Sequence, residues 1–178
     1  MGKTYKMIYI SLLVGQALVL YIVENMIPVP FITPGARLGL TNLVTVIALY
    51  TLNNKKDVFF LVILRLILST LLGGNLSSFM YSACGAIISY FVMVFAKKLG
   101  KDNLSIIGVS ASGAVFHNIG QLLIASIIVN NIAVMLYLPV LSIVGISTGI
   151  FIGITANYVV KHMLKLSYFK NSINNIER

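Results

Sequence analysis

The chain has a single cysteine, four prolines and four acids, and each shortage excludes something. One cysteine, Cys84, rules out an internal disulfide, and its place in an apolar run reads as a packed thiol. Two histidines and that cysteine stand far apart, without metal-ligand spacing, so no metal is expected. No apolar run contains a pair of carboxylates, which leaves no acid relay inside one run. No Walker A, G-x-S-x-G or H-E-x-x-H sequence occurs, so neither nucleotide hydrolysis nor these hydrolase chemistries are expected of the chain. No catalytic residue and no cofactor is assigned.

Charge is scarce as well. Charged residues make up 10% of the chain and hydrophobic ones 58%, whereas a soluble domain carries about a quarter charged residues. So much apolar surface exceeds what one soluble core hides, and it places the chain in a lipid bilayer. The net charge of +9 does not indicate nucleic acid, because the bases sit in short clusters between apolar runs and form no stripe. The apolar run 7–23 is longer than the core of a signal peptide and no small-x-small cleavage site follows, so it reads as a retained first span.

Apolar runs between breakers predict an all-α membrane protein of six transmembrane helices, at about 5–24, 34–52, 58–72, 76–96, 104–129 and 134–163, in one integral domain over 1–178. Thr33 and Pro34 read as the N-cap and first residue of the second helix. The second and third runs are short for a core of ~30 Å. A re-entrant hairpin would put Lys55 and Lys56 deep in lipid at about 3 kcal/mol each, so two full crossings are expected. Of the 13 bases, all but Arg37 and Arg65 then fall on one side. By the positive-inside rule both termini are cytoplasmic, in a multi-pass protein of the plasma membrane. Gly145, Gly149 and Gly153 form a small-residue stripe on the sixth helix, suited to internal packing or to an oligomer or partner contact. Ser11 and Gly15 form a weaker pair of this kind on the first.

The polar residues inside the spans are the candidate site. Arg65 lies eight residues beyond Asp57, about 12 Å into the membrane, and an arginine at that depth faces a cavity or a partner. His117 and Gln121 share a helix face, as do Asn118 and Gln121. Glu24 ends the first helix, Arg37 opens the second, Asn42 follows one turn in, and Asn75 sits in the next outer loop. Each has a structural reading: a Glu24–Arg37 ion pair closing the proline-rich turn, Arg65 held by carbonyls or an asparagine, His117 and Gln121 bonding between helices. A ligand cavity lined by Glu24, Arg37, Asn42, Arg65, Asn75, His117, Asn118 and Gln121 accounts for all of them together. Its basic groups suit a carboxylate, phosphate or diphosphate, and its apolar walls a ring or hydrocarbon tail.

The segments "ENMIPVP", "PGARLGLTN", "LRLILSTLLGG" and "GAVFHNIGQLL" resemble the Gx transporter family, also labelled heptaprenyl diphosphate synthase component I, and the likeness runs from about Leu12 to Val160. That family is similar to the substrate-binding S components of energy-coupling factor transporters. The resemblance implies an S-component-like bundle that binds a small anionic, isoprenoid-like or flavin-like compound and works with a coupling membrane subunit and ATPase subunits. The label implies an alternative, a non-catalytic membrane partner in isoprenoid or quinone biosynthesis. Prenyl chain elongation needs Asp-rich motifs that hold magnesium, and the two aspartates here, Asp57 and Asp102, stand singly. S components often present Ala-x-x-x-Ala on their first helix, where this chain has Ser11 and Gly15.

Overall fold

The computed structural model describes residues 3–27, 38–73, 76–100 and 104–165, which contain helices and turns and no strand. The helices are α1 (Lys3–Met26), α2 (Asn42–Thr51), α3 (Lys55–Leu71), α4 (Leu76–Gly100), α5 (Ile106–Ile128) and α6 (Leu138–Leu164), with a 3-10 turn over Ile132–Tyr137 leading into α6. Caps set several starts. Asn54 accepts the Lys56 N–H at 3.0 Å, so Lys55, Lys56 and Asp57 belong to the first turn of α3 rather than to a connecting turn. Ser105 accepts the Gly108 N–H at 3.2 Å and starts α5. Asn131 accepts the Ala133 N–H at 2.9 Å and starts the 3-10 turn, so the expected sixth helix at 134 begins as 3-10 and becomes α-helical only at Leu138, beside Pro139.

The second helix departs most from expectation. Thr33 and Pro34, with Arg37, lie outside the described residues, but residues 38–41 are not helical. Gly39 has φ +82, a conformation that ends any helix arriving from Pro34, and Asn42 N–H closes the turn onto the Gly39 carbonyl at 2.9 Å. Asn42 is therefore the first residue of α2, not a residue one turn inside it.

Side-chain contacts fix the direction of each helix. Lys6 of α1 pairs with Asp57 of α3 at 3.0 Å, a part-buried contact worth about 1 kcal/mol or less. Thr51 at the end of α2 gives its hydroxyl proton to the Ile47 carbonyl (2.8 Å), so Tyr9 of α1 donates to Thr51 across their 2.8 Å contact. Lys97 near the end of α4 donates to the Leu49 carbonyl at 2.7 Å and lies 4.2 Å above the Tyr50 ring, capping the last turn of α2. Tyr90 donates to the Lys55 carbonyl at 2.8 Å. The start of α1, end of α2, start of α3 and end of α4 thus meet at one lysine-bearing end, so these four helices alternate in direction along the chain while α1 and α3 pack parallel.

Among the described residues, four helical stretches are long and apolar enough to cross a membrane: Lys3–Met26, Leu76–Gly100, Ile106–Val129 and Ile132–Leu164. Their outward faces carry large apolar side chains such as Leu12, Val19, Phe91, Phe95, Phe151 and Tyr158, as lipid contact requires. The 10 residues of α2 reach only about 15 Å.

The glycine stripe of α6 faces inward. A Cβ on Gly149 would meet the Ala111 backbone at 2.6 Å, and one on Gly153 the Ile107 backbone at 2.6 Å. On the other face of α5, a Cβ on Gly120 would meet the Gly85 backbone at 2.8 Å. Backbones this close gain dispersion contact without needing a hydrophobic drive between helices. Internal packing is thus the use of Gly145, Gly149 and Gly153, all buried. Gly149→Ala is expected to lower the melting temperature of the detergent-purified protein at a cost of about 1–3 kcal/mol, from forced separation of α5 and α6. Gly15→Ala, where a Cβ meets nothing within 4 Å, should be neutral or slightly stabilising; equal losses in both would show that the α5–α6 contact is not tight.

Candidate functional site

Away from the lysine-bearing end, five helices, α1 to α5, bring polar side chains together. Glu24, 3% exposed, sits two residues before the end of α1 and accepts the Gly39 N–H at 2.5 Å through Oε1. This bond ties α1 to the turn that precedes α2. Thr41 holds the N-cap position of α2 but makes no capping bond. Its hydroxyl instead accepts from Arg65 Nη1 at 2.5 Å, while Asn42 Oδ1 accepts from Nη2 at 3.3 Å. Arg65, 5% exposed, thus projects from the middle of α3 onto the start of α2. A helix start carries partial positive charge, so a guanidinium there concentrates positive potential, and the Glu24 carboxylate lies against the same turn.

His117 of α5, 3% exposed, completes the cluster. Its ring fits between two glycines: a Cβ on Gly39 would lie 3.1 Å from Cδ2, and one on Gly85 2.9 Å from Nδ1. Gly39 is needed twice, for its positive φ and for the space that the imidazole occupies. Glu24, Arg65 and His117 line a cavity of about 10 Å³ with Ala17, Tyr21, Gly39, Thr41, Leu66, Ser69 and Ser82. That volume admits about one water molecule. Ser82 Oγ and Asn42 Nδ2 are buried with no hydrogen-bond partner among the described residues.

Of the expected site residues, the structure brings Glu24, Arg65 and His117 around one cavity, with Asn42 bonded to Arg65. Asn118 is placed elsewhere: Nδ2 donates to the Leu141 carbonyl at 2.7 Å and packs where Gly145 lacks a side chain, so it pins α5 to α6. Gln121 is buried on α5 one turn past His117 and is not among the residues lining the cavity. Arg37 and Asn75 lie outside the described residues. Tyr21, Thr41, Ser69 and Ser82 were not foreseen. Helical spacing carried a signal for two of them, since Tyr21 is three residues before Glu24 and Ser69 four after Arg65. Thr41 and Ser82 are ordinary small polar residues until the helices meet. Among the described residues no group of three His, Cys, Asp or Glu could hold a metal ion.

An apolar helical bundle with four membrane-length helices and a buried polar cluster is an integral membrane protein. The chain belongs to the heptaprenyl diphosphate synthase component I family, whose model matches residues 13–159. No curated protein and no solved structure matches it.

Gly39→Ala would place a side chain in left-handed backbone, a strain of about 1–2 kcal/mol, and press it on His117 and Asn42. The expected result is a clear drop in melting temperature. An unchanged melting curve would mean that the turn before α2 does not need glycine.

Proposed function

We propose that the protein is the substrate-binding membrane subunit of an energy-coupling-factor-type transporter, for a small anionic compound of isoprenoid-like or flavin-like character. The observation that carries this reading is the buried Arg65 guanidinium set at the start of α2 beside Glu24 and His117. A cation at the positive end of a helix dipole is poorly placed for stability alone and well placed to attract an anion. The resemblance to S components supports the transport assignment, with a coupling subunit and ATPases supplying the nucleotide chemistry. Arg37, Asn75 and Gln121 complete the proposed ligand-binding set around Glu24, Asn42, Arg65 and His117, while Asn118, bonded to the Leu141 carbonyl, serves the packing of α5 on α6. Because the cavity holds about one water, binding includes an opening step in which Arg65 exchanges Thr41 and Asn42 for the ligand.

The family description favours a second reading, a non-catalytic component of a prenyl diphosphate synthase. Both readings take the chain as a binding partner rather than an enzyme, and both suit an isoprenoid diphosphate.

For topology, we infer six crossings with both termini cytoplasmic in the plasma membrane. From Tyr9 to Glu24, α1 rises about 22 Å, and the turn at Gly39 with α2 bridges the same two levels through Glu24–Gly39 and Tyr9–Thr51. That the turn and this short helix together cover the depth α1 covers between Tyr9 and Glu24 supports counting them as a crossing. A cysteine at position 130 should label from outside sealed cells and Lys98→Cys should not; external labelling of Lys98→Cys refutes this orientation.

Mass spectrometry of compounds co-purifying with the protein tests the ligand class. A compound bearing a carboxylate, phosphate or diphosphate is expected from the wild type. Arg65→Gln should retain it about ten to a hundred times less well, the loss of a charge-assisted bond worth about 1.5–3 kcal/mol. Arg65→Lys should recover part, since an ammonium cannot reproduce the guanidinium fork. Full retention by Arg65→Gln, together with a large fall in melting temperature, would make Arg65 a structural pin and end the case for an anionic ligand.

A further inference from the structure

Charge balance in the cluster carries a consequence for binding. Around the cavity stand one carboxylate, Glu24, one guanidinium, Arg65, and one titratable imidazole, His117. All three are at least nine-tenths buried. Counted over the described residues, an anion placed beside them leaves one uncompensated negative charge in a medium where such a charge costs several kcal/mol. A proton on His117 removes that excess. Imidazole is the side chain whose ordinary range, near pH 6.5, allows this at physiological pH. We propose that the anion enters this site together with one proton, carried by His117; the inference rests on the anionic reading of the site given above.

The surroundings of His117 leave few other carriers. Tyr21 and Glu24 face the cavity from α1 and Arg65 from α3. Tyr81 and Cys84 flank Gly85 on α4, with Tyr81 buried and Cys84 half-buried. The titratable group of α2 is Tyr50, at the opposite end; those of α6 are Tyr158, Lys161 and His162, also toward the lysine-bearing end, and Tyr137 in the 3-10 turn is 42% exposed. Glu24 carries the competing proton acceptor, a carboxylate already receiving the Gly39 N–H.

Linkage sets the sign. A proton taken up with the anion makes binding tighter as pH falls, by about tenfold per unit between the pH where His117 protonates in the complex and the lower pH where it protonates in the free protein, and binding is level on either side. Farnesoate serves as probe, a singly charged carboxylate with an isoprenoid tail. With two histidines in the chain, a ¹⁵N-histidine-labelled protein carrying His162→Gln reports His117 alone. At pH 7.5, adding the probe should move its ring nitrogens from imidazole to imidazolium positions. Calorimetry in buffers of different ionisation enthalpy should count about one proton more for wild type than for His117→Gln, a difference in which the probe's own titration cancels. In Glu24→Gln, which leaves Arg65 to balance the anion, binding should tighten and the extra proton disappear.

Binding with neutral His117 overturns the proposal while leaving the anion site intact. If Glu24→Gln alone abolishes proton uptake and the ring nitrogens stay neutral, the carboxylate is the carrier and His117 is not. Proton-independent binding that is lost in Arg37→Gln assigns the balancing charge to Arg37 and also overturns it. No binding at any pH removes the anionic reading and this inference with it.

Discussion

Keeping a guanidinium inside an apolar bundle is the constraint on which this architecture turns. An arginine at mid-membrane depth costs about 3 kcal/mol on insertion scales, and charge-assisted hydrogen bonds return about 1.5–3 kcal/mol each. Arg65 finds two such acceptors, Thr41 Oγ1 and Asn42 Oδ1. To present them, the chain must start α2 at Asn42 rather than at the prolines. Starting it there requires the positive-φ turn at Gly39, whose N–H then needs an acceptor inside the bundle. Glu24 supplies it, and the same carboxylate lines the cavity that Arg65 lines. His117 fills the notch that Gly39 leaves. One buried charge thus accounts for the end of α1, the start of α2, the face of α3 and the spacing of α5.

The two halves of the bundle are held by different physics. α4, α5 and α6 approach through glycines: Gly85 and Gly120 between the first pair, Gly149 and Gly153 between the second. Their contact is backbone on backbone, close-packed and with little room to deform. α1, α2 and α3 meet through side-chain bonds, namely Lys6–Asp57, Tyr9–Thr51, Glu24–Gly39 and Arg65 onto Thr41 and Asn42. Hydrogen bonds and ion pairs can exchange partners, whereas interlocked backbones cannot slide without separating. The cluster lies where the two kinds of packing meet, with His117 from the glycine-packed half and Glu24 and Arg65 from the other. A ligand that competes for the Arg65 donors acts on the half able to rearrange.

The membrane class, four of the helices and the inward use of the α6 glycines were legible because each depends on composition or short-range periodicity. Long apolar runs require a lipid environment wherever they fold, and glycines four apart share one face of any helix. Glu24, Arg65 and His117 were legible as candidates for a related reason: ionisable groups in apolar runs must find one another or a polar cavity.

The sequence by itself determined that the chain is helical, that it lives in a bilayer and that a few ionisable groups must be reconciled inside it. Tertiary structure alone decided which groups meet. Asn118 and His117 are neighbours in sequence, yet one bonds Leu141 of α6 and the other lines the cavity, since adjacent helical residues point about 100° apart. Thr41 becomes a ligand of Arg65 only because α3 lies beside the start of α2. Gly39 marks the start of that helix only through its turn, and turn conformation is settled by what packs on it: the Glu24 carboxylate on one side and the His117 ring on the other. Residues 15 and 78 positions away in the chain make those contacts, and no local pattern encodes a partner at that separation.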